Sequence, residues 1–129
     1  GALTIPKTII HNDFNPRNVC VRNDGSICIY DWELAVLDFP HRDVVEFLSF
    51  ALPENFDAGV FIGYIKFHYS LQNSGISWNE WKSGYVYALK AYLVTRVSFC
   101  MTGRILMDYE FAIRIYLNAF RMLEILETL

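Results

Sequence analysis

The sequence predicts an α+β fold in which helices dominate, with a small β segment first and a helical body after it. Three observations predict it. Apolar residues recur at helical spacing through most of the chain after Arg42. Before that point, short β-branched runs alternate with turn residues, and "NDGS" at positions 23–26 is a strong hairpin signal. Hydrophobic residues make up 53% of the 129 and charged residues 19%, enough apolar surface for one packed domain. We expect a single domain over 1–129, with the polar motifs in 1–40 and the helical body in 41–129.

The elements follow in order. Lys7 to His11 reads as a strand, with Thr8, Ile9 and Ile10 favouring it. Asn12 to Asn18 is a polar loop containing Pro16. Val19–Arg22 and Ile27–Asp31 read as the two strands of the hairpin. Trp32 to Pro40 reads as irregular. A helix opens near Arg42, with Val44, Leu48 and Ala51 on one face, and Pro53 ends it. Phe56 to Gln72 is a second helix, closed by "NSG". Ser77 and Glu80 form a capping-box pattern that opens a third, running to about Gly103. Ala112, Tyr116, Ala119, Leu123 and Leu126 line one face of a fourth.

Composition excludes some functions. The net charge of -3 argues against a nucleic-acid partner, which calls for a basic face. No apolar run approaches the roughly 20 residues of a membrane span, and no signal-peptide pattern opens the chain. Three cysteines make no even disulfide framework. A two-residue turn at Asp24-Gly25 would pair Val21 with Cys28 and Cys20 with Ile29, turning the two thiols to opposite faces. A reducing cytoplasm is therefore the expected compartment. Cys100 reads as a small buried hydrophobe.

The chemistry concentrates in "HNDFNPRN" and "IYDWE". Asn18 follows Asp13 by five residues and Asp31 follows it by eighteen. The hairpin folds that second interval back on itself, so Asp31 returns to the loop. Phosphoryl transfer needs this set: one carboxylate to orient a hydroxyl and take its proton, and an amide oxygen plus a second carboxylate to hold magnesium against phosphates. Magnesium takes hard oxygen ligands, which Asn and Asp supply.

These segments resemble the aminoglycoside phosphotransferase and choline kinase family, which has a protein-kinase-like fold. "HNDFNPRN" is similar to the family's catalytic loop, "IYDWE" to its metal-binding segment and "FPHRDVVEFL" to the helix that follows. The resemblance is strong over about Pro6 to Leu52. It implies a C-terminal lobe that moves the γ-phosphate of ATP or GTP, with Mg2+, to a hydroxyl of a small acceptor such as an aminoglycoside, choline or a sugar. Asp13 would be the catalytic residue and Asn18 and Asp31 the metal ligands. His11 and Asp43 would support the loop, Asp43 through backbone hydrogen bonds, and Glu33 stands close enough to Asp31 to join the metal sphere. The family has Gly where this chain has Asn12, a residue that tolerates positive φ. Only ten residues precede His11. An N-terminal lobe carrying the nucleotide-covering loop and lysine is therefore an expected missing partner, and 1–129 alone is expected to be inactive.

Other readings explain parts of the pattern. Asx residues are common in loops, and an acid opening a helix needs no further reason. Arg17 and Arg42 fit either a phosphate or the open surface. His11-x-Asp13 with His41 or His68 resembles the triad of non-haem iron oxygenases, but that reading leaves Asn18 and Asp31 unused and calls for many strands. A pseudoenzyme or docking lobe would keep the fold without catalysis.

Overall fold

The computed structural model describes residues 3–107 and 110–129, leaving out the side chains of Cys100, Arg104, Leu106 and Met107. The expected burial of Cys100 thus lies outside the described residues.

Two small antiparallel pairs form the β segment. Strand β1 (Thr8–Ile10) pairs with β4 (Val36–Asp38), setting Ile9 opposite Leu37. The stretch from Trp32 to Pro40 is thus not wholly irregular: it holds a 3-10 turn at Trp32–Leu34 and then β4. Val36 and Leu37 both stay exposed, so no alternation marks the strand. Its partner, β1, lies on the far side of the loop and the hairpin, and local sequence does not report such a pairing.

The hairpin joins β2 (Val19–Val21) to β3 (Ile27–Ile29), in a register that differs from the expected one. Cys20 lies opposite Cys28, Val19 opposite Ile29 and Val21 opposite Ile27. The turn is one residue longer than a two-residue loop. Arg22 N–H donates to Ser26 O at 2.8 Å, and Gly25, with φ +82°, closes the turn onto Arg22 O. The extra residue shifts the register by one, so the two thiols share a face rather than opposing it. Both are free.

Among the described residues five helices make the body: α1 (His41–Ala51), α2 (Ala58–Ser70), α3 (Trp78–Tyr92), α4 (Ser98–Met107) and α5 (Phe111–Thr128). Asp57 caps α2 by accepting from the N–H groups of Gly59 and Val60, and Ser77 caps α3 by accepting from Glu80 N–H. The third predicted helix passes Gly103: α3 continues through a π-helical stretch, Leu93–Val97, into α4. Helices α1, α3 and α5 pack on one another and enclose the core. The face that α1 buries runs through His41, Val45 and Leu48, so Val44 is only half-buried and Ala51 is exposed. On α5, Ala112, Ile115, Ala119, Met122 and Leu126 are buried, whereas Tyr116 is not. Buried Asn118 of α5 donates to Ser49 O and Leu52 O, satisfying carbonyls at the end of α1. Among the described residues, no helix is long and apolar enough to cross a membrane.

An aromatic cluster locks α1 to α2 and α3. His41 is fully buried against Trp81, Tyr85 and His68. Gly84 makes the room for it. A Cβ there would sit 2.6 Å from Ile5 Cδ1 and 2.8 Å from the His41 ring. The clash outweighs the helix propensity that alanine adds, so Gly84→Ala should lose about 1–2 kcal/mol in urea unfolding. Equal or higher stability would mean that the ring has space to move.

Candidate active site

The candidate site begins with how a loop is held. His11 is buried, and both ring nitrogens are engaged. Nε2 donates to Tyr30 O at 2.5 Å, and Nδ1 accepts from Asp13 N–H at 3.2 Å. A ring used this way has no nitrogen left for a metal, which removes the iron-triad role from His11. His41 and His68 lie together in the aromatic core. The loop's backbone is held by Asp43, at the start of α1. Its carboxylate accepts from His11 N–H at 2.7 Å and from Asn12 N–H at 2.9 Å, the contact expected from the sequence. Asn12 has φ 63°, the left-handed conformation that Asn tolerates. Its side chain donates to Leu34 O.

Asp13 and Asn18 meet across this loop. Asn18 Nδ2 donates to Asp13 O at 2.9 Å and to Asp13 Oδ2 at 3.1 Å. Asn15 is almost fully buried and donates to Asp13 Oδ1, while its own oxygen caps the 3-10 turn Pro16–Asn18 by accepting from Arg17 N–H. Asp31 is set by its neighbour: Tyr30 N–H donates to Asn18 O at 2.8 Å, just before the carbonyl that His11 holds. Asp31 has φ 62° and is exposed, as is Glu33 in the following turn. Among the described residues, neither acid has a hydrogen-bond partner, and no three His, Cys, Asp or Glu side chains cluster as a metal site.

A cavity of about 330 Å³ opens beside Asp13. Its walls include Asp13, Arg17, Glu46, Phe50, Phe99 and Phe111. Asn18 and Asp31 do not line it, so Asp13 stands between this cavity and the hairpin end of the loop.

A family model described as the phosphotransferase enzyme family matches residues 2–72. That span is more than half of the chain, and it takes in the loop, the hairpin and α1. The chain belongs to the phosphotransferase enzyme family. No curated protein and no solved structure gives a match.

This phosphotransferase family member has site neighbours that the sequence did not reveal. Arg96 donates to Asn12 O, and its Nη1 lies 3.9 Å from Asp13 Oδ1. It sits in the π-helical stretch, whose altered pitch offsets the side chains that follow. Nothing in the local sequence marks it. Arg17 is exposed but lies over the Phe50 and Phe111 rings, and Arg42 pairs with Asp38. Glu46, on α1, is only 7% exposed. Burial pushes its carboxyl from 4.5 up to about 7, with Asp13 and Asp43 adding to the shift and Arg96 and Arg42 opposing it.

Glu46 and His41 give stability opposite dependences on pH. Burial lowers His41 from 6.5 to about 3, with His68 acting the same way, so its contribution is full above pH 6.5 and lost as pH falls toward 3. The raised carboxyl of Glu46 does the reverse: its contribution is full below 4.5 and lost as pH rises through 7. Glu46→Gln removes the second effect and exposes the first. Between pH 6.5 and 5, the variant should lose on the order of 1.5 kcal/mol more than the parent in urea unfolding. Parallel pH curves would show that Glu46 titrates normally.

Proposed function

We propose that the full-length protein transfers the γ-phosphoryl group of ATP or GTP to a hydroxyl of a small acceptor, with this chain supplying the acceptor side of the site. The observation that supports this best is the direct hydrogen bond from Asn18 to Asp13 on a loop whose N–H groups Asp43 holds. Asp13 orients the acceptor. Its carboxylate is fixed by Asn15, Asn18 and Arg96, so it can hold a hydroxyl in line with the phosphate and take its proton as the new O–P bond forms. The bond to the β–γ bridging oxygen breaks, and the nucleoside diphosphate leaves.

Asn18 and Asp31 would hold magnesium. The donor set fits the ion. The Asn18 amide nitrogen faces the acceptor atoms of Asp13, so its Oδ1 is left without a protein partner among the described residues, and Asp31 offers an exposed carboxylate. Bound there, the ion supplies charge neutralisation for the phosphate oxygens. Glu33 extends the same acidic edge. His11 and Asp43 position the loop without touching the reacting atoms. We place the reaction in the cytoplasm, where the free thiols Cys20 and Cys28 stay reduced.

The roles separate in kinetics. Asp13→Ala should lower kcat by about 10²- to 10⁴-fold and leave the affinity for magnesium-nucleotide nearly unchanged. Asp31→Ala should weaken that affinity as well as turnover. Calorimetry with ATP and magnesium, beside steady-state kinetics, separates the two. Undiminished turnover in Asp13→Ala would remove it from the mechanism.

A further inference from the structure

We propose that Glu46 anchors the acceptor: its carboxylate takes a hydrogen-bond donor of the acceptor, an amino group or a hydroxyl other than the one that reacts. This rests on the phosphotransferase reading above and goes beyond it to the acceptor's chemistry.

Three observations carry it. First, Glu46 is more than nine-tenths buried, yet its carboxylate oxygens have no hydrogen-bond or ion-pair partner among the described residues. A buried acid in that state is costly, and the raised carboxyl pKa reflects the cost.

Second, Glu46 lines the same cavity as Asp13, with Phe50, Phe99 and Phe111 supplying apolar walls. A ligand in that cavity meets Asp13 at one point and Glu46 at another. The cavity's arginines are engaged elsewhere. Arg96 is held by Asp13 and the Asn12 carbonyl, and Arg17 by Asn15 and the two phenylalanine rings. Among the described residues no donor reaches the Glu46 carboxylate, although the charges of Arg96 and Arg42 act on it, and a ligand can bring one.

Third, about 330 Å³ is at the small end of ligand pockets. That volume suits an acceptor about the size of a monosaccharide, a polyol or an amino alcohol with a donor several bonds from the reacting hydroxyl.

Two measurements on the full-length protein test this. In thermal unfolding, Glu46→Leu should melt at the same temperature as the parent or a few degrees higher, because it removes a buried acid that has no partner among the described residues. A loss of several degrees would make Glu46 a structural residue and overturn the proposal. In phosphorylation assays with glucosamine, glucose and 2-deoxyglucose, Glu46→Gln should raise the acceptor KM about 10- to 100-fold and leave kcat within about threefold. The order of the three acceptors in the parent separates an amino from a hydroxyl donor. An unchanged KM in Glu46→Gln would overturn the proposal and leave the phosphotransferase reading intact. Should the parent phosphorylate none of the three sugars, that result would count against the phosphotransferase reading with these acceptors, and the melting temperature of Glu46→Leu would decide the role of Glu46 alone.

Discussion

Two backbone N–H groups on one carboxylate set the geometry of this molecule's polar end. Asp43 accepts from His11 and Asn12, and the rest of the site depends on that grip. A charge-assisted bond to a backbone amide is among the stronger hydrogen bonds a protein makes, and losing one partner would leave the other unsatisfied. Asp43 lies in the first turn of α1, where the helix dipole favours an acid. Helix α1 is fixed by α3 and α5, and by the His41, Trp81 and Tyr85 cluster. Rigidity therefore passes from the helical core into the loop through Asp43, beside the stacking of Phe14 on Phe47 of α1.

The loop uses that rigidity to hold unfavourable arrangements. Among the described residues three non-glycine residues have positive φ, and two of them, Asn12 and Asp31, belong to the candidate site. Asp13, Asn18 and Asn15 are joined by hydrogen bonds that leave the Asn18 amide oxygen and the Asp31 carboxylate facing outward. Glu46 holds a nearly buried acid that has no hydrogen-bond or ion-pair partner among the described residues. Each of these opposes stability, and all lie at or beside one loop. Strain and unsatisfied groups gather where a protein binds and reacts, because binding partners relieve them.

Much of this was legible in the sequence because the informative signals were local. The Asp13–Asn18 spacing, the hairpin, the Ser77 cap and the Pro53 stop are each written within a few residues. The positive φ of Asn12 followed from asking which residue can replace glycine. What stayed hidden depended on distant partners or on one residue of turn length. The register of Cys20 and Cys28 turned on a three-residue loop in place of two. Strand β4 is defined by its pairing with β1 and has no alternation of its own. Arg96 reaches the loop from a π-helical stretch that no local pattern announces, and nothing in the local sequence sets Glu46 apart. The burial of Val45 in place of Val44, and of Ile115 in place of Tyr116, shows the same limit: periodicity finds a helix before it fixes which stripe faces inward.

The central claim is that the pinned loop and the returning hairpin make one metal-nucleotide site. Manganese in place of magnesium tests it directly, because its unpaired electrons broaden nearby nuclear resonances. With the isotope-labelled protein and a non-hydrolysable ATP analogue, a small amount of manganese should first broaden the Asn18 side-chain amide and the backbone amides of Tyr30 and Asp31 together. Broadening scattered over surface acids such as Glu54, Asp57 and Glu124, with Asn18 and Asp31 untouched, would contradict it.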